Sequence, residues 1–242
     1  MGISRGNITT NIIKKGLVFN MDAANRGSTI PSTSTTKTFN TVDLSQSGSF
    51  INDTVYDSST ITPSYALDGN GDRIQLIPND LDFNSFTNGF TMSIWIKLNS
   101  AAHTQTNKYI YSRTNSANTD NIFSIIYGYV SQKYEIYNGS GLASQTLRTN
   151  SQITVSDTNW HNICYSVGSS ARGYLDGILI TDVSYGSTVT FISSTGDNII
   201  GDFGNGAHNP HCSIGPFQVY NLVLSSSEVL FNYNGLKSRF GL

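Results

Sequence analysis

The 242-residue sequence predicts an all-β protein, a two-sheet antiparallel jelly-roll sandwich with one short C-terminal helix. Three observations predict it. Charged residues make up 12% of the chain, against 22 glycines, 13 tyrosines and 12 phenylalanines. That balance suits short strands joined by polar turns rather than helices, which favour Ala, Glu, Lys and Leu. Phe90, Met92, Ile94 and Ile96 alternate with Thr91, Ser93, Trp95 and Lys97, the period-2 pattern of a strand with one face in a core. A single segment near the C-terminus carries a helix signature. A sandwich of this length can be one domain with a large core; the expected division is an N-terminal arm over residues 1–15 and a sandwich domain over 16–242.

The elements follow in chain order. Residues 1–15 are polar with a few isoleucines, and read as an edge strand or as an arm that docks on a partner. Gly16–Met21 is a strand with Leu17 and Phe19 on one face. Residues 22–49, rich in Thr, Ser and Asn, read as a long ordered loop with a short strand at its end. Ser64–Ile77 is two strands around Asp68-Gly69-Asn70-Gly71-Asp72. After Phe90–Lys97 come Tyr109–Arg113, Ile122–Tyr129 and Tyr134–Tyr137, a meander, and then Trp160–Val167. Asp176-Gly177 joins Arg172–Leu175 to Ile178–Thr181, a strong two-residue hairpin signal. Asn198–Asp202 leads into a loop containing Gly and His. In Ser213–Leu222, Phe217 and Val219 face one way, and Pro216 belongs at an edge or bulge because it cannot donate to a ladder. Ser225-Ser226-Ser227-Glu228 is a capping box. It opens about two helical turns that pack through Val229, Leu230 and Tyr233 and stop near Gly235.

Several function classes are excluded at this stage. The net charge is −2 with no basic stripe, which argues against nucleic acid. No apolar run approaches the ~20 residues needed to span a bilayer, so no membrane insertion is expected. The N-terminus lacks the apolar stretch of a secretory signal, so synthesis in the host cytoplasm without a signal peptide is expected. The two cysteines, Cys164 and Cys212, are few for a disulfide-built secreted module.

Five motifs in order carry a resemblance. Gly16–Asn25 (GLVFNMDAAN), Asp43-Leu44-Ser45 with Leu67–Asp72, Phe90–Lys97, Trp160–Ile163 with Gly173–Gly177, and Ile214–Glu228 with Asn232–Leu242 all take part. Together they resemble the laminin G-like/pentraxin type of concanavalin A-like domain, in the form found in bacteriophage virion proteins. The phage flavour rests mainly on the two chain ends. The resemblance implies a virion surface protein (a capsid decoration, fibre or tail-associated component) that adheres to glycans or to other virion proteins and forms a homo-oligomer. The alternative is a soluble carbohydrate-binding lectin, with or without calcium. Pentraxins bridge the Cys164 position to the position held here by Ser93, so that disulfide is absent and Cys164 is expected as a buried thiol.

The candidate chemistry is that of binding. Glucanases of the wider superfamily need two carboxylates across the scissile bond. This chain has two glutamates, Glu135 alone on a strand and Glu228 in the capping box, and no enzyme is expected. His161 reads as a structural histidine beside Trp160. The resemblance places a calcium site at Asp120, Asn121 and Asp202, with fewer acids than the pentraxins have; the simpler reading is solvated turn residues and no cofactor. For sugar or interface contact, Tyr109, Tyr111, Tyr127, Tyr129, Tyr134 and Tyr137 cluster in the meander, since tyrosine offers an apolar face and a polar tip. Phe123, Ile125, Tyr127 and Tyr129 share one parity, so some of these rings must be core.

Overall fold

A computed structural model describes residues 11–29, 36–58, 62–76, 81, 83–99, 107–114, 121–128, 130–137, 150–155, 157–184, 196–204 and 206–242. Among them are sixteen strands: β1 (Leu17–Met21), β2 (Lys37–Phe39), β3 (Ser47–Ile51), β4 (Val55–Asp57), β5 (Ser64–Asp68), β6 (Arg73–Leu76), β7 (Phe90–Leu98), β8 (Lys108–Thr114), β9 (Asn121–Tyr127), β10 (Lys133–Tyr137), β11 (Ile153–Thr154), β12 (His161–Val167), β13 (Ser170–Leu175), β14 (Ile178–Ser184), β15 (Asn198–Ile200) and β16 (His211–Tyr220). One α-helix, α1 (Ser226–Leu236), follows. The first sheet runs β14-β13-β12-β7-β16-β5-β4, with β1 also on β16; the second runs β11-β10-β9-β8-β15-β6-β3-β2. All pairs are antiparallel. The protein is the expected jelly-roll sandwich.

The core lies between the sheets. Phe90, Met92, Ile94 and Ile96 of β7 face Ile110, Tyr111, Phe123 and Ile125 of the opposing sheet within one apolar cluster, as the alternation of β7 required. The other face of β7 is buried as well, because α1 lies over it. Trp95 is stacked on Phe240 at 4.0 Å and on Tyr233 at 5.6 Å between centroids.

The β16 strand solves the proline problem locally. Residues 211–214 pair with β5 and residues 217–220 with β1. The register with β7 shifts between Ile214 and Phe217. Pro216 sits at that bulge, where a missing N–H costs no ladder bond.

Four local expectations are corrected. Leu17 and Phe19 do not share a face: a register shift between them on β16 leaves Phe19 in the inter-sheet core and Leu17 among the residues under α1. Residues 22–49 hold β2 in addition to the strand expected at their end, the start of β3, and the three-residue β4 is a further strand without a sequence signal. The helix runs 11 residues rather than two turns. Its buried positions are Val229, Asn232 and Leu236, while Leu230 is 42% exposed. Gly235 is inside the helix because Asn11 crosses there; a Cβ would come within 2.3 Å of the Asn11 carbonyl oxygen. The α-helix passes at Lys237 into a 3-10 turn over Lys237–Phe240, and the left-handed stop of that turn is Gly241, at φ 77°.

The two chain ends are joined. Arg239 donates two hydrogen bonds of 2.8 Å to the Asp22 carboxylate. The Ile13 amide donates to Asn232 Oδ1 at 2.7 Å, and Ile12 is buried with Trp95, Leu236 and Phe240. Residues 11–15 of the expected arm therefore dock on the domain's own C-terminal segment; residues 1–10 lie outside the described part.

Candidate functional site

The six tyrosines proposed from sequence part company. Tyr111, Tyr127 and Tyr134 are 0%, 3% and 1% exposed, and all three belong to the inter-sheet core. Their rings cannot face a ligand, which corrects the expectation for them. The reason is strand parity: Tyr111 pairs with Ile125 and Tyr127 with Tyr134, on the inward side. Burial raises the hydroxyl pKa of each above the usual tyrosine range. Tyr137 is half-buried at the end of β10, and Tyr129 lies outside the described residues.

Tyr109 has a different setting. It is half-buried at the start of β8, before the register shift that turns Tyr111 inward. Its ring lies 5.0 Å from Phe203 and 5.3 Å from His208, and those two rings are 6.2 Å apart. All three are partly exposed. This aromatic cluster is the candidate site. Tyr109 is among the sequence candidates, whereas the segment after Asp202 is expected from sequence only as a loop containing Gly and His. The missed signal was a lone Phe and His separated by glycines in a loop directly after a strand.

The described residues of this loop are held by hydrogen bonds. Asp202 Oδ2 accepts the amides of Gly204 at 3.0 Å and Gly206 at 2.8 Å, and the Asp202 carbonyl accepts Ser112 Oγ at 2.7 Å. Asn209 donates to the carbonyls of Asp72 and Gly201, both at 3.0 Å, and accepts the Gly71 amide at 3.1 Å. The His208 carbonyl accepts the Tyr109 amide at 3.1 Å, and His208 Nδ1 donates to the Asn107 carbonyl at 3.1 Å. The Nδ1 of His208 thus carries a proton, because a carbonyl can only accept. Next to the cluster, partial burial lowers the Lys108 pKa from its ordinary value.

The calcium expectation meets this same loop. Asp202 is fully buried, and one of its oxygens holds two loop amides with Arg73 Nη1 3.8 Å away. Among the described residues, its other oxygen has no hydrogen-bond partner. One oxygen beside an arginine does not fit a cation that takes six to eight oxygens. Asp120 and the Asn121 side chain lie outside what is described. Among the described residues, no three acidic, histidine or cysteine side chains group where a metal could sit.

Cys164 stands directly opposite Ser93 in the β12–β7 register, where the resemblance placed the missing partner. Both cysteines are free and buried. His161 is held on both sides: Nδ1 is 2.8 Å from Asp176 Oδ2, and Nε2 is 3.0 Å from Asp157 Oδ1.

The family model Laminin_G_3, described as the concanavalin A-like lectin/glucanases superfamily, matches residues 68–230. The chain belongs to that superfamily. No curated protein sequence matches it. Among solved structures, it is similar to domain 4 of AbnA, a GH43 extracellular arabinanase from Geobacillus stearothermophilus, solved with arabinotriose. The identity is 14% and the TM-score 0.63, over 90% of this chain and 98% of that one. It is also similar to the binding domain of botulinum neurotoxin DC in complex with SialylT, at 13% identity and TM-score 0.65, over 91% of this chain and 52% of that one. The Trypanosoma rangeli sialidase matches at 12% and 0.62, over 92% of this chain; the chain spans about a third of that enzyme's length. At these identities the superfamily member shares a fold with parts of enzymes and with toxin binding domains, and function must be argued from its own site.

Proposed function

We propose that this superfamily member is a non-catalytic glycan-binding module that acts by adhesion. The half-exposed cluster of Tyr109, Phe203 and His208 carries the reading. Aromatic faces on a loop fixed by Asp202 and Asn209 suit the apolar face of a sugar ring, and neighbouring amide and ammonium groups suit its hydroxyls. The lectin-like fold supports it, as do neighbours solved with an arabinotriose and with SialylT. The non-enzymatic part draws on the glutamates. Glu135 is 1% exposed and accepts from Gln152 at 2.9 Å, and Glu228 closes the helix capping box.

The setting proposed is the surface of a virion, with other virion proteins and copies of the same chain as neighbours. It rests on the resemblance of the two ends to phage domains, and those ends form one packed unit through Asp22 and Arg239.

A glycan array probed with the whole chain, with and without a chelator, tests the binding. Tyr109→Ala and Phe203→Ala should each abolish the array signal while leaving the melting curve cooperative. A signal that survives both changes refutes the assignment of the site, and an array blank for the parent protein refutes glycan binding. Recovery of the chain in assembled particles is the corresponding test of the virion setting.

A further inference from the structure

A second concave site lies apart from the aromatic cluster. Tyr109 is the second residue of β8, bonded to the loop after β15, which in turn is bonded to the Asp68–Asp72 turn. At the opposite end of the first sheet, Thr87 and Asn88 before β7, the β12–β13 turn and Val223 after β16 enclose a cleft of about 350 Å³. That is within the range of small-ligand sites. Its apolar lining is Val223 and the buried Gly168. The rest of the lining is polar: Thr87, Asn88 and Ser169, all exposed, with Ser170 and Arg172.

The chemistry of these groups is one-sided. Arg172 gives its Nε–H to Asp182 Oδ2 at 3.0 Å across the β13–β14 pair. Among the described residues, neither terminal nitrogen of Arg172 has a hydrogen-bond partner, and neither do the side chains of Thr87, Asn88, Ser169 and Ser170. Asp182 therefore fixes the guanidinium by one nitrogen and leaves its terminal edge for a planar anion. A carboxylate fits that edge with two parallel hydrogen bonds. Hydroxyls and an amide beside a small apolar lining match a ring that carries alcohols on its rim and C–H groups on its face.

We propose that this cleft is a second ligand site, selective for a sugar that bears a carboxylate, with Arg172 binding the carboxylate and Thr87, Asn88, Ser169 and Ser170 binding the hydroxyls. It stands independently of the aromatic cluster. The chain then holds glycans at two ends of the sandwich, one through stacking and one through charge.

The test is amide chemical-shift titration of the ¹⁵N-labelled whole chain with D-glucuronate and with D-glucose, which differ at the carboxylate. Glucuronate should move the amides of Asn88 and of residues 168–172, with glucose at least about tenfold weaker. Arg172→Gln should remove that preference, and Ser169→Trp, which puts a bulky ring into the cleft lining, should abolish the response to both sugars. Tyr109→Ala should change none of this. Equal response to the two sugars, no movement of these amides, or a preference that survives Arg172→Gln overturns the proposal. None of those outcomes bears on the aromatic site, which the array reads through Tyr109 and Phe203.

Discussion

The Asp22–Arg239 pair allows a quantitative test of how much the joined chain ends stabilise the fold. The Asp22 side chain is 6% exposed and that of Arg239 24%. Two hydrogen bonds of 2.8 Å join them, and Asp22 Oδ1 also accepts the Ala24 amide at 3.0 Å. Arg239→Met strands a nearly buried carboxylate with one remaining donor. Removing one partner of a fully buried pair costs about 3–5 kcal/mol. Because water reaches Arg239, the expectation here is about 2–3 kcal/mol. For a chain of this size, that is a fall in melting temperature of roughly 5–10 °C. Asp22→Asn should cost less, since the unpaired guanidinium can turn to water. Urea unfolding of both single variants and the double variant gives the coupling, expected at about 1.5 kcal/mol or more. An Arg239→Met loss below about 0.5 kcal/mol, or additive single losses, would refute the view that this pair stabilises the fold.

Two further outcomes follow from the geometry. The hydrogen bond to Asp176, helped by the one to Asp157, raises the His161 pKa above its ordinary value despite opposing burial. Its contribution is therefore fully present below about pH 6.5 and is lost as pH rises through the raised folded-state value. Urea midpoints between about pH 6 and about pH 9 should fall in the parent and stay flatter in His161→Asn; parallel profiles would contradict this. Gly201 has φ +90°, and a Cβ there would come within 2.1 Å of Leu67 Cδ2. Gly201→Ala should cost about 2–4 kcal/mol and weaken glycan binding by displacing the loop that carries Phe203; unchanged thermal stability would contradict the strain.

The sequence by itself determined the elements whose signal is local. The alternation in Phe90–Lys97 placed four side chains in the core, and the β7 register agrees. Asp176-Gly177 made its hairpin with both residues at positive φ, Pro216 marked a bulge, and Ser225 with Glu228 capped the helix. These are period, turn and capping effects, which a few neighbouring residues decide.

Tertiary structure decided everything that depends on which face is covered and by what. A register shift separates Tyr109 from Tyr111 and sends one ring outward and the other into the core. Another sends Leu17 and Phe19 to different faces. Trp95, expected on the outer face of β7, is buried by Tyr233 and Phe240 from far along the chain. The cluster of Tyr109, Phe203 and His208, and the cleft of Thr87, Ser169 and Arg172, each join residues from separate segments. A slip of one residue in a strand inverts its faces, and only the packing of the whole sandwich fixes where those slips fall.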